Sequence, residues 1–343
     1  MPYKTFQLND PTLLFNGNEE NEFITRHEKC PVMIFPESAE ASVMIAKLIA
    51  ERIRDKAGRQ ETCVLGLATG STPQRVYDEL VRLHCDEGLS FANVITFNLD
   101  EYYPMHPDSL QSYHRFMHEY LFDHIEIPDG NINLPDGQVP KEKVHEYCRA
   151  YEQKIADCGG IDLQILGIGR TGHIGFNEPG SPSNSPTRVI TLDHITRMDA
   201  ASDFYGEENV PQQAITMGVG TILKSKQIIL MAWGEGKAAV IRKAVEGPVT
   251  DSIPATFLQD HPDAKIILDH AASADLTRIS TPWLVGTCRW NDQLIRKSVV
   301  WLCQKLDKAI LKLTDRDYND NGMADLLTEH GPSNKINIKV FND

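Results

Sequence analysis

The chain has 343 residues, 41% of them hydrophobic and 24% charged, and a formal net charge of −14. That length suits one large α/β domain with an appendage, or two modest domains. The acidic balance disfavours nucleic acid and anionic membrane as partners, although a local pocket can still be basic. The seven cysteines are scattered without a Cys-x-x-Cys pair, and neither a signal peptide nor an apolar run near 18 residues is evident. A cytoplasmic setting without disulfides or zinc knuckles is therefore expected.

Residues 1–31 read as a polar, irregular arm. Val32–Phe35 reads as a strand, and Ser38 is expected to cap a helix with Val43, Ala46, Ile49, Ala50 and Ile53 at helical spacing. A second strand over 62–68 runs into Thr69-Gly70-Ser71-Thr72-Pro73, where Pro73 suits the first position of a helix burying Val76, Leu80 and Leu83. Hydroxyls and free backbone amides at such a turn form an anion site, with an ordinary capped turn as the plainer alternative. No lysine follows Gly70 as a nucleotide-triphosphate loop would require.

Val94–Tyr103 reads as one strand with Asp100 and Glu101 at its carboxyl end. Because alternate side chains point to opposite faces, at most one of that pair faces a given pocket. Asp108 or Ser109 is expected to cap a helix reaching about His124. His114 and His118 lie one turn apart on it, but without a third ligand nearby they read as surface or packing residues. A polar helix over 141–156 turns Val144, Tyr147, Tyr151 and Ile155 inward.

Ile161, Leu163 and Ile165 alternate with Asp162 and Gln164, a short strand with one apolar face. It empties into a glycine-dense loop that carries Thr171, His173, Asn177 and Glu178. Gly167, Gly169 and Gly172 fit a dinucleotide fingerprint, which needs a helix opening within the run. Gly175 and Pro179 follow too soon for that, so a long loop is expected, at the strand end where open α/β sheets place their chemistry. Strands over 189–192, 227–233 and 264–268 follow, with a helix over 237–245 between the last two. Lys237 in that helix's first turn opposes the dipole preference, which favours a ligand-facing role. Asn291 is expected to cap a helix burying Leu294, Ile295, Val299, Leu302 and Leu306. Asp317, Asn319, Asn321 and Gly322 imitate a calcium loop, but Thr328 stands where the bidentate Glu belongs.

Four segments in order, Leu67–Pro73, Phe97–Tyr102, Gly172–Pro179 and Thr216–Thr221, resemble the glucosamine-6-phosphate deaminase (isomerase) family, supported by 122–134. The likeness runs from about Val32 to about Leu268. It implies an α/β fold with a doubly wound, mostly parallel, Rossmann-like sheet and flanking helices, similar to the sugar-phosphate isomerase/lactonase fold. Residues 32–280 would form that domain and 281–343 a C-terminal helical extension or linker, as in longer two-domain relatives. The implied reaction turns glucosamine 6-phosphate and water into fructose 6-phosphate and ammonia, with a small-molecule sugar phosphate as partner and no metal or organic cofactor. A homo-oligomer is left open.

By that resemblance Asp100 matches the proton-shuttling carboxylate, His173 the ring-opening histidine and Glu178 its support. Thr69, Gly70, Ser71 and Thr72 with Lys237 match the phosphate site. One carboxylate can carry a proton from C2 to C1, a histidine titrates near neutrality, and a dianion wants a fixed cation and amide donors. Two departures stand out. Asp203 occupies the place of a usual phosphate arginine, which puts weight on Lys237, Arg197 or Arg188. Thr171 replaces a usual Asp, so one anion that would favour the protonated imidazole is missing, although its hydroxyl can still orient the ring. The alternatives are a 6-phosphogluconolactonase-like hydrolase and a non-catalytic sugar-phosphate sensor. The Asn98–Tyr102 motif favours the deaminase, and no basic helix-turn-helix segment supports a regulator.

Overall fold

The computed structural model describes residues 21–342. The expected arm lies outside the described residues up to residue 20, and Asn21–Ile24 is a helical turn rather than irregular chain. The chain divides into two units. One holds Lys29–Ser273, the other residues 21–28 with 274–342.

The larger unit contains strands β1 (Val32–Phe35), β2 (Cys63–Leu67), β3 (Val94–Asn98), β4 (Asp100–Tyr103), β5 (Ile132–Asn133), β6 (Leu163–Leu166), β7 (Arg188–Thr191), β8 (Gln213–Thr216), β9 (Ile228–Ala232) and β10 (Ala264–Asp269). Its principal helices are α1 (Ser38–Gly58), α2 (Gln74–Glu87), α3 (Tyr113–Tyr120), α4 (Val144–Asp157), α5 (His194–Ala200) and α6 (Ala238–Glu246). Seven strands form a parallel sheet in the order β1-β10-β9-β6-β2-β3-β5. From β2 the chain builds outward through β3 and β5, then returns to β2's other side with β6. The loops after β2 and β6 therefore part at a topological switch point, where such sheets open a crevice.

β2 and β9 are buried at every position, because helices cover both faces of a parallel sheet. The same reason corrects the reading of β6: it has two buried faces, with Gln164 inside and its amide donating to the Ile165 carbonyl at 2.9 Å. α1 packs Ile45, Ile49 and Ile53 inward beside Ala41, Ala46 and Ala50. Each isoleucine contributes roughly 1.5–3 kcal/mol of burial, and the small residues between them let the helix approach closely. Ser38 is its first helical residue and makes no cap; Glu37 precedes the helix without a side-chain bond.

The expected single strand over 94–103 is two. At Leu99 the chain leaves the parallel sheet, its amide bonding the Leu67 carbonyl, and β4 joins an antiparallel sheet in the order β4-β8-β7. Asp100 pairs in register with Thr216. Neither Asp108 nor Ser109 caps α3; the Ser112 hydroxyl accepts the Arg115 amide at 3.0 Å. The helix also ends at Tyr120, and residues 122–124 form a separate 3-10 turn. α4 begins at Val144, after the expected start at 141, and Lys237 lies in a 3-10 turn that leads into α6.

In the smaller unit, α7 (Asp292–Leu306) is capped by Asn291, which accepts the Leu294 amide at 2.8 Å. It packs into a core with Trp283, Tyr318 and Leu326. Tyr318 donates to Asn337 at 2.7 Å, and Asn337 in turn donates to the Leu313 carbonyl. Asp317 of the calcium-like stretch serves as a helix cap partner for Thr314 and as an ion-pair partner for Lys308. Among the described residues no helix is long and apolar enough to cross a membrane.

Candidate active site

A cleft of about 300 Å³ opens at the switch point, lined by the loop after β2, the start of β4, the loop after β6, α5 and Lys237. Of the expected residues, Thr69, Gly70, Ser71, Thr72, Asp100, His173 and Lys237 line it. Thr171 and Glu178 stand behind the histidine rather than in the wall.

Gly70 turns the first loop with φ of 90°, a conformation that costs a side chain dearly. The loop is anchored by Trp233, whose Nε1 donates to the Thr72 carbonyl at 3.0 Å. Lys237 donates to the Ile168 carbonyl at 2.7 Å, which ties the β6 loop to the same end of the cleft. Burial lowers the lysine's pKa from its ordinary value.

Asp100 is 5% exposed. Burial, then the neighbouring Glu101 charge, push its pKa up to about 8, against a smaller pull from the Phe176 amide. Glu101 points away and serves α3: it accepts the amides of Tyr102, Tyr113 and His114 at 2.9, 3.1 and 3.0 Å. Burial outweighs those donors and raises its pKa to about 7. The alternation of faces separates the two carboxylates as a strand must.

The β6 loop forms no helix; it closes through a bridge between Ile174 and Asn177. Its amides cannot then converge on a pyrophosphate as the dinucleotide reading needs. His173 instead lies flat on Gly169, where a Cβ would sit 2.1 Å from ring atoms. Three oxygens surround its Nδ1: Thr171 Oγ1 at 2.9 Å, Thr196 Oγ1 at 3.4 Å and Glu178 Oε2 at 3.4 Å. Among the described residues Nε2 carries no hydrogen bond, which leaves it to the cleft. Glu178 accepts the Asp193 amide at 3.2 Å. Burial raises its pKa, but His173, Thr196 and that amide together more than offset this, and the net shift is downward.

Sequence reasoning missed Thr196, which reaches His173 from α5 and has no local signal. It also missed the wall of Tyr102 and Tyr113, read as strand and helix residues. Tyr113 stacks with Phe176 at 5.9 Å, and Tyr102 packs against Phe204 at 4.9 Å. Arg197 and Arg188 do not line the cleft: the first pairs with Glu207, the second bonds Asn177 and Ser181. Asp203 does line it. His114 and His118 stack on each other, and among the described residues no group of three or more His, Cys, Asp or Glu could hold a metal.

A family model described as glucosamine-6-phosphate isomerases/6-phosphogluconolactonase matches residues 36–267. A "putative glucosamine-6-phosphate deaminase-like protein" of Bacteroides thetaiotaomicron is 51% identical over 324 residues, 94% of this chain and 49% of the relative. The chain thus spans about half that relative's length. A glucosamine-6-phosphate deaminase of Oceanobacillus iheyensis is 45% identical over 233 residues, 68% of this chain and 92% of the relative. The solved structure of a monomeric glucosamine-6-phosphate deaminase superposes with a TM-score of 0.69 at 41% identity, covering 71% of this chain and 99% of that one.

Proposed function

The chain belongs to the glucosamine-6-phosphate isomerase/6-phosphogluconolactonase family, and from that premise we propose that it converts glucosamine 6-phosphate and water to fructose 6-phosphate and ammonia. The observation that carries this reading is a buried carboxylate, Asp100, sharing one small cleft with His173, Lys237 and the Thr69–Thr72 loop. Lactone hydrolysis asks for no base at C2, whereas aldose–ketose isomerisation does.

His173, presenting Nε2, moves the proton of the C1 hydroxyl to the ring oxygen as the pyranose opens. Asp100, as the carboxylate, takes the C2 proton to give an enolamine and returns it to C1, leaving an imine at C2. Water adds to that imine carbon, and the C–N bond breaks to release ammonia. Glu178 and Thr171 orient the imidazole, and Lys237 with the loop amides holds the phosphate. The reaction is assigned to residues 32–280, and the reading carries a cytoplasmic setting.

The test is paired measurement of ammonia and fructose 6-phosphate from glucosamine 6-phosphate, with 6-phosphogluconolactone as the competing substrate. Equimolar ammonia and ketose are expected. Lactone hydrolysis without ammonia would overturn the assignment.

A further inference from the structure

We propose that Asp203 is a specificity-determining residue that opposes a phosphate dianion, so that the cleft accepts an amino sugar with an uncharged C6 end as well as a phosphorylated one. This rests on the deaminase reading and deepens it. Three carboxylates, Asp100, Asp199 and Asp203, line the cleft against one lysine, Lys237. Asp199 is already paired with the exposed Arg170, whose Nε donates to Oδ2 at 2.9 Å. Of the lining side chains, that leaves Lys237 as the cation and Asp203 as its counterweight, with Asp100 held toward its neutral form by burial.

Asp203 is an exposed residue of the cleft wall whose backbone is held. Its carbonyl accepts the Gln111 amide at 3.1 Å, and the adjacent Phe204 packs on Tyr102. Among the described residues the Asp203 carboxylate meets no cation; its side-chain contact is Ser202 Oγ at 3.5 Å. A hexose phosphate would fill a cleft of about 300 Å³, so its phosphate stays within a Debye length of about 8–10 Å from that carboxylate. The dianion gains from Lys237 and loses to Asp203, whereas an uncharged hydroxymethyl end is indifferent to both.

The test is calorimetric titration of the full chain and its Asp203→Asn variant with glucosamine 6-phosphate, fructose 6-phosphate and glucosamine, at low and high salt. The variant should bind both phosphorylated ligands about fivefold or more tightly at low salt, with a smaller gain at high salt and no change for glucosamine. Unchanged affinity for the phosphorylated ligands would overturn the proposal. So would weaker binding of the two amines with fructose 6-phosphate unaffected, which would make Asp203 an ammonium ligand. Binding of none of the three by either form would remove the deaminase reading and this proposal together. Binding with the predicted charge dependence but no ammonia from glucosamine 6-phosphate would remove only the deaminase reading.

Discussion

The nearest partner of His173 Nδ1 is the hydroxyl of Thr171 at 2.9 Å; the Glu178 carboxylate stands farther off at 3.4 Å. The imidazole is therefore oriented first by a neutral group and only second by an anion. Thr171→Ala should lower kcat about tenfold by loosening the ring, with KM little changed. Thr171→Asp adds an anion that favours the imidazolium, and should move the histidine-dependent limb of the pH–rate profile to higher pH. Steady-state kinetics across pH decide both, and an unmoved limb in an active Asp variant would refute the electrostatic role of this position.

Asp100 must be ionised to accept the C2 proton, yet burial holds its pKa up to about 8 in the free protein. kcat/KM for glucosamine 6-phosphate should therefore climb with pH toward a limb near that value. Asp100→Asn should reduce turnover by about 10² to 10⁴-fold with the fold intact. A folded Asn variant with near-normal ammonia release would remove Asp100 from the mechanism.

The same burial makes a stability prediction of defined sign. Asp100 and Glu101 have folded-state pKa values raised to about 8 and about 7, above 3.8 and 4.5 when unperturbed. Between those limits the unfolded chain has lost protons that the folded chain still binds, so stability falls as pH rises through this window. Asp100→Asn removes its share of the loss. Urea midpoints at pH 5 and pH 8 should lie closer together in the variant than in the wild type, and equal separation would contradict the desolvation argument.

Lys237→Ala should raise KM for the phosphorylated sugar, by an amount corresponding to about 1.5–3 kcal/mol for a charged hydrogen bond. The lysine also bonds the Ile168 carbonyl, so Lys237→Met, which keeps the aliphatic stem, separates packing from charge. If both variants keep the wild-type KM, the phosphate lies elsewhere.

Gly169→Ala tests the seat of the histidine. A Cβ there would lie 2.1 Å from the ring, so the imidazole must swing off its three oxygens. Activity should fall more than a hundredfold, with about 1–3 kcal/mol of overpacking cost measured by denaturant unfolding. Retained activity would show that the ring need not rest on the backbone.

The sequence by itself determined most strands of the parallel sheet, though not β5 or, in the antiparallel sheet, β8, together with the glycine loop, because these are local properties. Periodicity reports burial along one element, and Gly70 or Pro73 restricts the backbone wherever it stands. Alternation along the strand said only that Asp100 and Glu101 face different ways; the choice of Asp100 came from the family resemblance. What only the tertiary structure decided depends on distance across the chain. Periodicity could not see that the strand over 94–103 breaks at Leu99, because the break exists to let β4 join β8, a strand far along the chain. Gln164 read as solvent-facing because alternation assumes one wet face, and a central parallel strand has none. Thr196 reaches His173 only because α5 folds back over the β6 loop. Asp203 could be read as an aspartate in an unusual place, but its weight against Lys237 follows from both side chains lining one small cleft.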